Sequence, residues 1–250
     1  MYSSYEHYSS RLRSRFSRGF LFPLLKVLLI AFLLYLFLSR IFVSAFQVDS
    51  GSMLPGLEQR DRLLVSPLVY GGRVPFFKNL RLPPMREPER GEIVVVESPA
   101  YVEPAFPWSA LEPVVRFLSL QRGSIVRDHT GRLAPRYLIK RVIAKPGDTV
   151  RMSGYVAYIQ AAGSSGFVPE QELLGSGYSI RTERLPEGWT EDLPFSGSLD
   201  PLTLKAGEYF VLGDNRPYSS DSRSWGPLEG RKILGKAFFR YWPAGRGGRL

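Results

Sequence analysis

The 250-residue sequence contains no cysteine. This excludes disulfides, thiolate catalysis and cysteine-based zinc sites, and leaves any extracytoplasmic part to stand on packing alone. Histidine is almost as scarce, with only His7 and His129. There is no grouping of residues at metal-ligand spacing and no phosphate-cradling glycine motif, so neither a metal nor any other cofactor is expected. Internal repeats are missing as well. The formal charge of +10 is dispersed and comes without a zinc-finger, basic-zipper or RNA-recognition pattern, which favours a membrane surface over nucleic acid as the partner.

What the chain does have is one long apolar run. Arg11, Arg13, Arg15 and Arg18 precede "FLFPLLKVLLIAFLLYLFL", Phe20 to Leu38, which as a helix at 1.5 Å per residue reaches about 28 Å, close to the hydrocarbon thickness of a bilayer. Lys26 lies near its amino-terminal end, where the amine can snorkel back to the arginine-rich interface. The positive-inside rule then predicts a cytoplasmic segment 1–19, a transmembrane helix over 20–40 and an extracytoplasmic remainder. A cleavable signal peptide ending at Val43-Ser44-Ala45 is the alternative, although the run exceeds the usual apolar core of such peptides.

Beyond the membrane the pattern is of short extended segments bounded by Gly, Pro, Asp or Ser: "FQV", "RLLVS", "EIVVVE", "RYLIKRVIA", "YVAYI" and "EYFVLG". These predict a mainly β fold, sandwich or barrel-like. Residues 46–99, 136–150 and 205–245 are expected to form the principal β domain. Residues 100–135 read as an insertion holding a short amphipathic helix, and 151–204, rich in Gly, Ser and charge, as an accessory, looser β region.

Three segments carry residues able to do chemistry. In "FQVDSGSMLPG" an extended chain would turn Phe46, Val48, Ser50 and Ser52 to one face, with Gly51 allowing another backbone to approach. Taken alone, Ser-Gly-Ser is also an ordinary turn. In "YLIKRVIAKPGD", Lys140 shares a strand face with Leu138 and Val142, while Ile139, Arg141 and Ile143 take the other. A lysine among aliphatics can lose its proton near neutral pH and act as a base toward serine, whereas on an edge strand it would only discourage aggregation. In "GDNRPYSSDSR", Ser219, Asp221 and Arg223 fall at alternate positions, suiting an Asp221–Arg223 ion pair and a Ser219 hydroxyl that orients an amine. A histidine-based triad of a serine, His129 and Asp128 or Asp221 is the alternative arrangement.

Together, in this order and behind an amino-terminal anchor, these segments resemble the bacterial type I signal peptidases, membrane-bound serine proteases with a Ser/Lys dyad. The resemblance implies Ser52 as nucleophile and Lys140 as general base. It also implies Ser50 as a donor to the oxyanion, Ser219 as the residue orienting the lysine, and Arg141, Asp214, Asp221 and Arg223 as supports of the site. Gly51, Met53 and Pro55 would lie next to the substrate. The substrates would be signal peptides of secretory preproteins, bound as an added strand with small residues selected by shallow pockets. The enzyme would sit in the cytoplasmic (inner) membrane, contacting the lipid bilayer and lying near the secretion translocon, with no metal and no nucleic acid. Gly56 and Pro217-Tyr218 depart from the family's pattern. Two other readings stay open: a self-cleaving Ser/Lys protease of the SOS-repressor type, and a catalytically inactive, membrane-tethered β-domain serving as scaffold.

Overall fold

The computed structural model describes residues 22–38, 41–73, 80–99, 101, 111, 114–115, 136–175, 178–183 and 197–250. The basic segment 1–19, both histidines, Asp128 and nearly all of 100–135 lie outside the described residues; of the expected amphipathic helix only Leu111, Val114 and Val115 are described, and these are helical. Residues 22–38 are helical, and apart from Leu36 their side chains are largely exposed. Residues 20–21 and 39–40 of the expected span are not described, and among the described residues no helix is long and apolar enough to cross a membrane.

The rest is mainly β, in two antiparallel sheets. The larger has the order β1 (Ser44–Gln47), β2 (Arg62–Ser66), β11 (Ile233–Trp242), β3 (Ile93–Glu97), β4 (Tyr137–Ala144), β9 (Glu208–Leu212) and β10 (Leu228–Glu229), with β12 (Gly248–Arg249) paired to β11. The smaller runs β7 (Val168–Pro169), β6 (Val156–Gln160), β5 (Thr149–Ser153) and β8 (Leu199–Thr203). β3 shows why a central strand reads as a continuous apolar run. Its Ile93 and Val95 pack into one core cluster with Val48, Met53, Leu57 and Leu63, while Val94 and Val96 pack into another with Val142, Val211 and Ile233. β5 and β6 instead alternate buried and half-exposed positions, as expected of strands with one wet face. Their hairpin turns on Gly154 and Tyr155, both at positive φ, the conformation a two-residue primed turn demands.

A third cluster joins the two sheets: Val150, Met152, Ala157 and Ile159 of the smaller pack against Ile143, Ala144, Phe210 and Leu212 of β4 and β9. The strand carrying Lys140 thus runs almost directly into the second sheet through the turn at Lys145-Pro146-Gly147-Asp148. There Asp148 accepts from the Lys145 N–H at 2.9 Å and from Arg90 at 2.6 and 2.8 Å.

The longest strand, β11, is one that periodicity did not reveal. Gly235, Lys236 and Arg240 interrupt its apolar pattern, and its pairing with β2 and β3 shifts register three times. Gly235 has a packing reason, because a Cβ there would lie 2.7 Å from the Ser66 carbonyl oxygen of the neighbouring strand.

Candidate active site

The loop after β1 does not continue as a strand. Ser50 is extended (φ −129°, ψ 161°), but Gly51–Met53 form a single 3-10 turn, so the alternation that would put Ser50 and Ser52 on one face breaks off between them. The two hydroxyls meet nonetheless, by way of the turn, with Ser50 Oγ donating to Ser52 Oγ at 3.2 Å. Ser50 is exposed and Ser52 is buried. Val48 and Met53 anchor the turn in the core; the Met53 side chain is wholly buried among Leu57, Leu63 and Val95, whereas Pro55 is exposed and Gly51 half-buried.

Lys140 projects from β4, opposite Val94 of β3, and is only 2% exposed. Its Nζ lies 3.2 Å from Ser52 Oγ and 3.0 Å from Ser219 Oγ. Among the described residues no carboxylate is bonded to it. Burial lowers its pKa from the ordinary 10.5 to about 8; Arg223 acts in the same direction, while Asp221 and Asp214 pull the other way. An amine in this state is partly unprotonated near neutrality and can accept a proton from a hydroxyl at hydrogen-bond distance.

The groups around the pair are held by two fork-shaped ion pairs. Arg141, next to Lys140 but on the other side of the strand, binds Asp214 with Nε at 2.9 Å and Nη2 at 2.7 Å, and donates from Nη1 to the Gly91 carbonyl at 2.8 Å. Arg223 binds Asp221 with Nε at 2.8 Å and Nη2 at 2.9 Å. Asp221 also accepts from the Gly213 N–H and caps the short helix Ser222–Trp225. Burial pushes the Asp221 carboxyl up, but the hydrogen bonds and charge of Arg223, with those of Ser219 and Gly213, outweigh it and hold the group below the usual carboxylate range. Ser219 Oγ thereby accepts from the amine at 3.0 Å and helps to keep the Asp221 carboxyl ionised.

Sequence reasoning missed the residues that lock the segments together. Asn215 donates its backbone N–H to the Ser52 carbonyl at 3.0 Å and its side-chain amide to the Gly51 carbonyl at 2.9 Å. Gly213 allows this approach, since a Cβ there would sit 2.2 Å from Ser219 Oγ and 2.5 Å from the Ser52 carbonyl oxygen. Gly56 is less confined, its imagined Cβ falling 3.1 Å from Asp214 Oδ2. Ser50, Ser52, Lys140, Ser219, Arg141, Asp214, Asp221 and Arg223 are therefore gathered into one locus. His129 and Asp128 lie outside the described residues, and the Asp221 carboxylate is already committed to Arg223 and Gly213.

This arrangement has counterparts. The family model for signal peptidase, peptidase S26, matches residues 21–242. The chain belongs to that family. It is 30% identical to signal peptidase I of Pseudomonas aeruginosa over 249 residues, covering 89% of this chain and 71% of that protein. It is likewise 30% identical to a probable signal peptidase I-1 of Synechocystis sp., with 91% of this chain and 84% of that protein covered. A probable thylakoidal processing peptidase 2 of Arabidopsis thaliana is 28% identical over 78% of this chain and 37% of its own length. As a member of the signal peptidase family, the protein is a serine endopeptidase.

Proposed function

We propose that this signal peptidase removes amino-terminal signal peptides from translocated preproteins, with Ser52 as nucleophile and Lys140 as general base. The observation that carries the reading is the buried amine 3.2 Å from the Ser52 hydroxyl, its pKa lowered by desolvation. Ser52 Oγ attacks the scissile carbonyl carbon as its proton passes to Lys140 Nζ. The tetrahedral oxyanion is met by the Ser52 N–H and the exposed Ser50 hydroxyl. As the C–N bond breaks, Nζ returns the proton to the departing amine, leaving an ester on Ser52. Nζ then takes a proton from water, whose oxygen attacks the ester; the C–O bond breaks and Ser52 recovers its hydrogen. Ser219 holds the amine in line throughout.

The preprotein lies as an added strand beside the nucleophile turn and β4, with its backbone hydrogen-bonded and its small side chains directed into shallow pockets. The apolar segment over 20–40 anchors the protein in the cytoplasmic membrane, amino terminus inside and β sheets outside, close to the translocon. Support for the anchor is the exposure of Phe22, Leu25, Val27 and Ile30, apolar groups that water would not favour and lipid would.

The test is cleavage of a purified preprotein by wild type, Ser52→Ala and Lys140→Ala. Both variants are expected to be inactive, and kcat/KM of the wild type should rise with pH through about 8. Equal cleavage by all three would leave the dyad without support, and inactivity of all three would favour the scaffold reading.

A further inference from the structure

The family chemistry leaves unused one group of polar residues deep in the molecule. Arg216 and Glu170 form an ion pair in which neither side chain has any exposure. Arg216 Nη1 and Nη2 reach the two carboxylate oxygens at 2.8 and 2.6 Å. The Tyr178 hydroxyl donates to Glu170 Oε2 at 2.7 Å and accepts from Arg216 Nη2 at 2.5 Å, and the Ala157 N–H fills a further position on Oε1. Glu170 begins the helix Glu170–Leu174 after β7, and Tyr178 follows that helix, so both belong to the smaller sheet's region. Arg216 belongs to the loop that reaches the reacting groups.

Each end of this network points at the site. Gly213 to Arg216 is four residues long. Gly213 makes room for Ser219 and the Ser52 carbonyl, Asp214 binds Arg141, Asn215 holds the carbonyls of Gly51 and Ser52, and Arg216 is the one that faces away, toward Glu170. Ser219 lies three residues further on. The backbone of Arg181 brackets the same loop, donating to the Asp214 carbonyl at 2.8 Å and accepting from the Arg216 N–H at 3.0 Å. The second arm is the Tyr178 ring, over which the Arg141 guanidinium sits at 4.9 Å; Arg141 is the immediate neighbour of Lys140.

A fully buried ion pair is a poor way to gain stability, because apolar residues of the same volume do as well or better. What it provides is direction, since fork-shaped bonds tolerate one orientation. We propose that Glu170 and Tyr178 are positioning residues for the Ser52–Lys140 pair, Glu170 fixing the Gly213–Ser219 loop through Arg216 and Tyr178 fixing the base strand through Arg141. This rests on the reading of Ser52 and Lys140 as the dyad. The accessory sheet then serves as the abutment against which both halves of the site are set, not merely as a separate module.

The test uses the full-length protein in detergent micelles and a purified preprotein, with rates expressed per folded enzyme. Two pairs of comparisons keep it decisive. The double variant Glu170→Leu with Arg216→Met replaces the whole ion pair by apolar groups and avoids a lone buried charge. Tyr178→Leu removes the ring from Arg141, whereas Tyr178→Phe keeps it. With the abutment gone, kcat in the double variant should fall about a hundredfold, the scale of a misplacement of about 1 Å, while KM stays within about twofold. Tyr178→Phe should recover most of what Tyr178→Leu loses.

The acid limb of kcat/KM should also move to higher pH in the double variant and in Tyr178→Leu. The loosened loop admits water beside Lys140 and shifts the groups whose fields it feels, Asp214 on that loop and Asp221 and Arg223 beyond it. A merely structural role would leave that limb in place. Wild-type kcat and an unmoved limb in a folded double variant would overturn the proposal; should that variant not fold, identical kcat and limb for Tyr178→Leu and Tyr178→Phe would do so. Lys140→Ala, assayed alongside, separates the two levels: if it is active the dyad itself is wrong, and if it is inactive while the network variants behave as wild type, only the positioning role falls.

Discussion

Replacing Lys140 by methionine keeps an unbranched chain of similar length and removes the buried amine, and its effect on stability should change sign with pH. The native pKa of about 8 against an ordinary 10.5 corresponds to a penalty of about 3 kcal/mol for holding the ammonium in the folded protein. The penalty is complete below pH 8, where both folded and unfolded chains carry the proton. Between pH 8 and 10.5 the folded state has released it and the unfolded state has not, so wild-type stability climbs relative to the variant; above 10.5 both are neutral and the penalty is gone.

Against this stand the contacts of the amine with Ser52 and Ser219, worth about 1 kcal/mol each. Lys140→Met should therefore be more stable than wild type by about 1 kcal/mol at pH 7 and less stable by about 2 kcal/mol at pH 10.5. Paired thermal melts of the two proteins in the same detergent across that range measure it, at about 2–4 °C per kcal/mol for a chain of this size. All other titrations are common to both proteins and cancel. Parallel curves, with a Tm difference independent of pH, would refute the argument, because they would mean that the amine is not desolvated.

Three further outcomes follow from the same geometry. Ser50→Ala removes one of the two donors proposed for the oxyanion and should lower kcat by about 10² to 10³ without abolishing preprotein cleavage. Gly213→Ala forces its methyl against Ser219 Oγ and the Ser52 carbonyl oxygen; it should cost about 1–3 kcal/mol in denaturant unfolding and far more in activity, about a hundredfold in kcat. Asp221→Asn removes a carboxylate whose pKa is depressed in the fold. Wild type should exceed that variant in stability above the ordinary Asp range near pH 4, and the margin should shrink as pH falls through the lowered native value, which urea unfolding at pH 7 and pH 3 can compare.

The convergence of Ser52, Lys140 and Ser219 was more legible than the strand order, for a physical reason: all three sit in short polar motifs set against apolar strands, where a serine or a lysine stands out. Strands β2, β3, β4 and β9 were visible because both faces or one face are uniformly apolar. β11 was hidden by Gly235 and by register shifts, and β8 by Pro201 in "LDPLT". Between Ser50 and Ser52 the sequence is compatible with either a strand or a turn, and the chain takes the 3-10 turn; the alternation of Phe46 and Val48 carries a strand pattern up to Ser50, but nothing local marks where it stops. Glu170 and Tyr178 left no trace, since their partner, Arg216, is 46 residues from Glu170 in the chain, and nothing local marks a glutamate that will be fully buried.

Asn215 holds the Gly51–Met53 turn by two carbonyl groups, those of Gly51 and Ser52, and uses no side chain of the turn to do so. Exchanging Ser52 for alanine therefore deletes the hydroxyl while leaving its platform standing. Such an inert protein should still dock preproteins and never let chemistry release them, which makes it a bait for capturing the cell's own clientele.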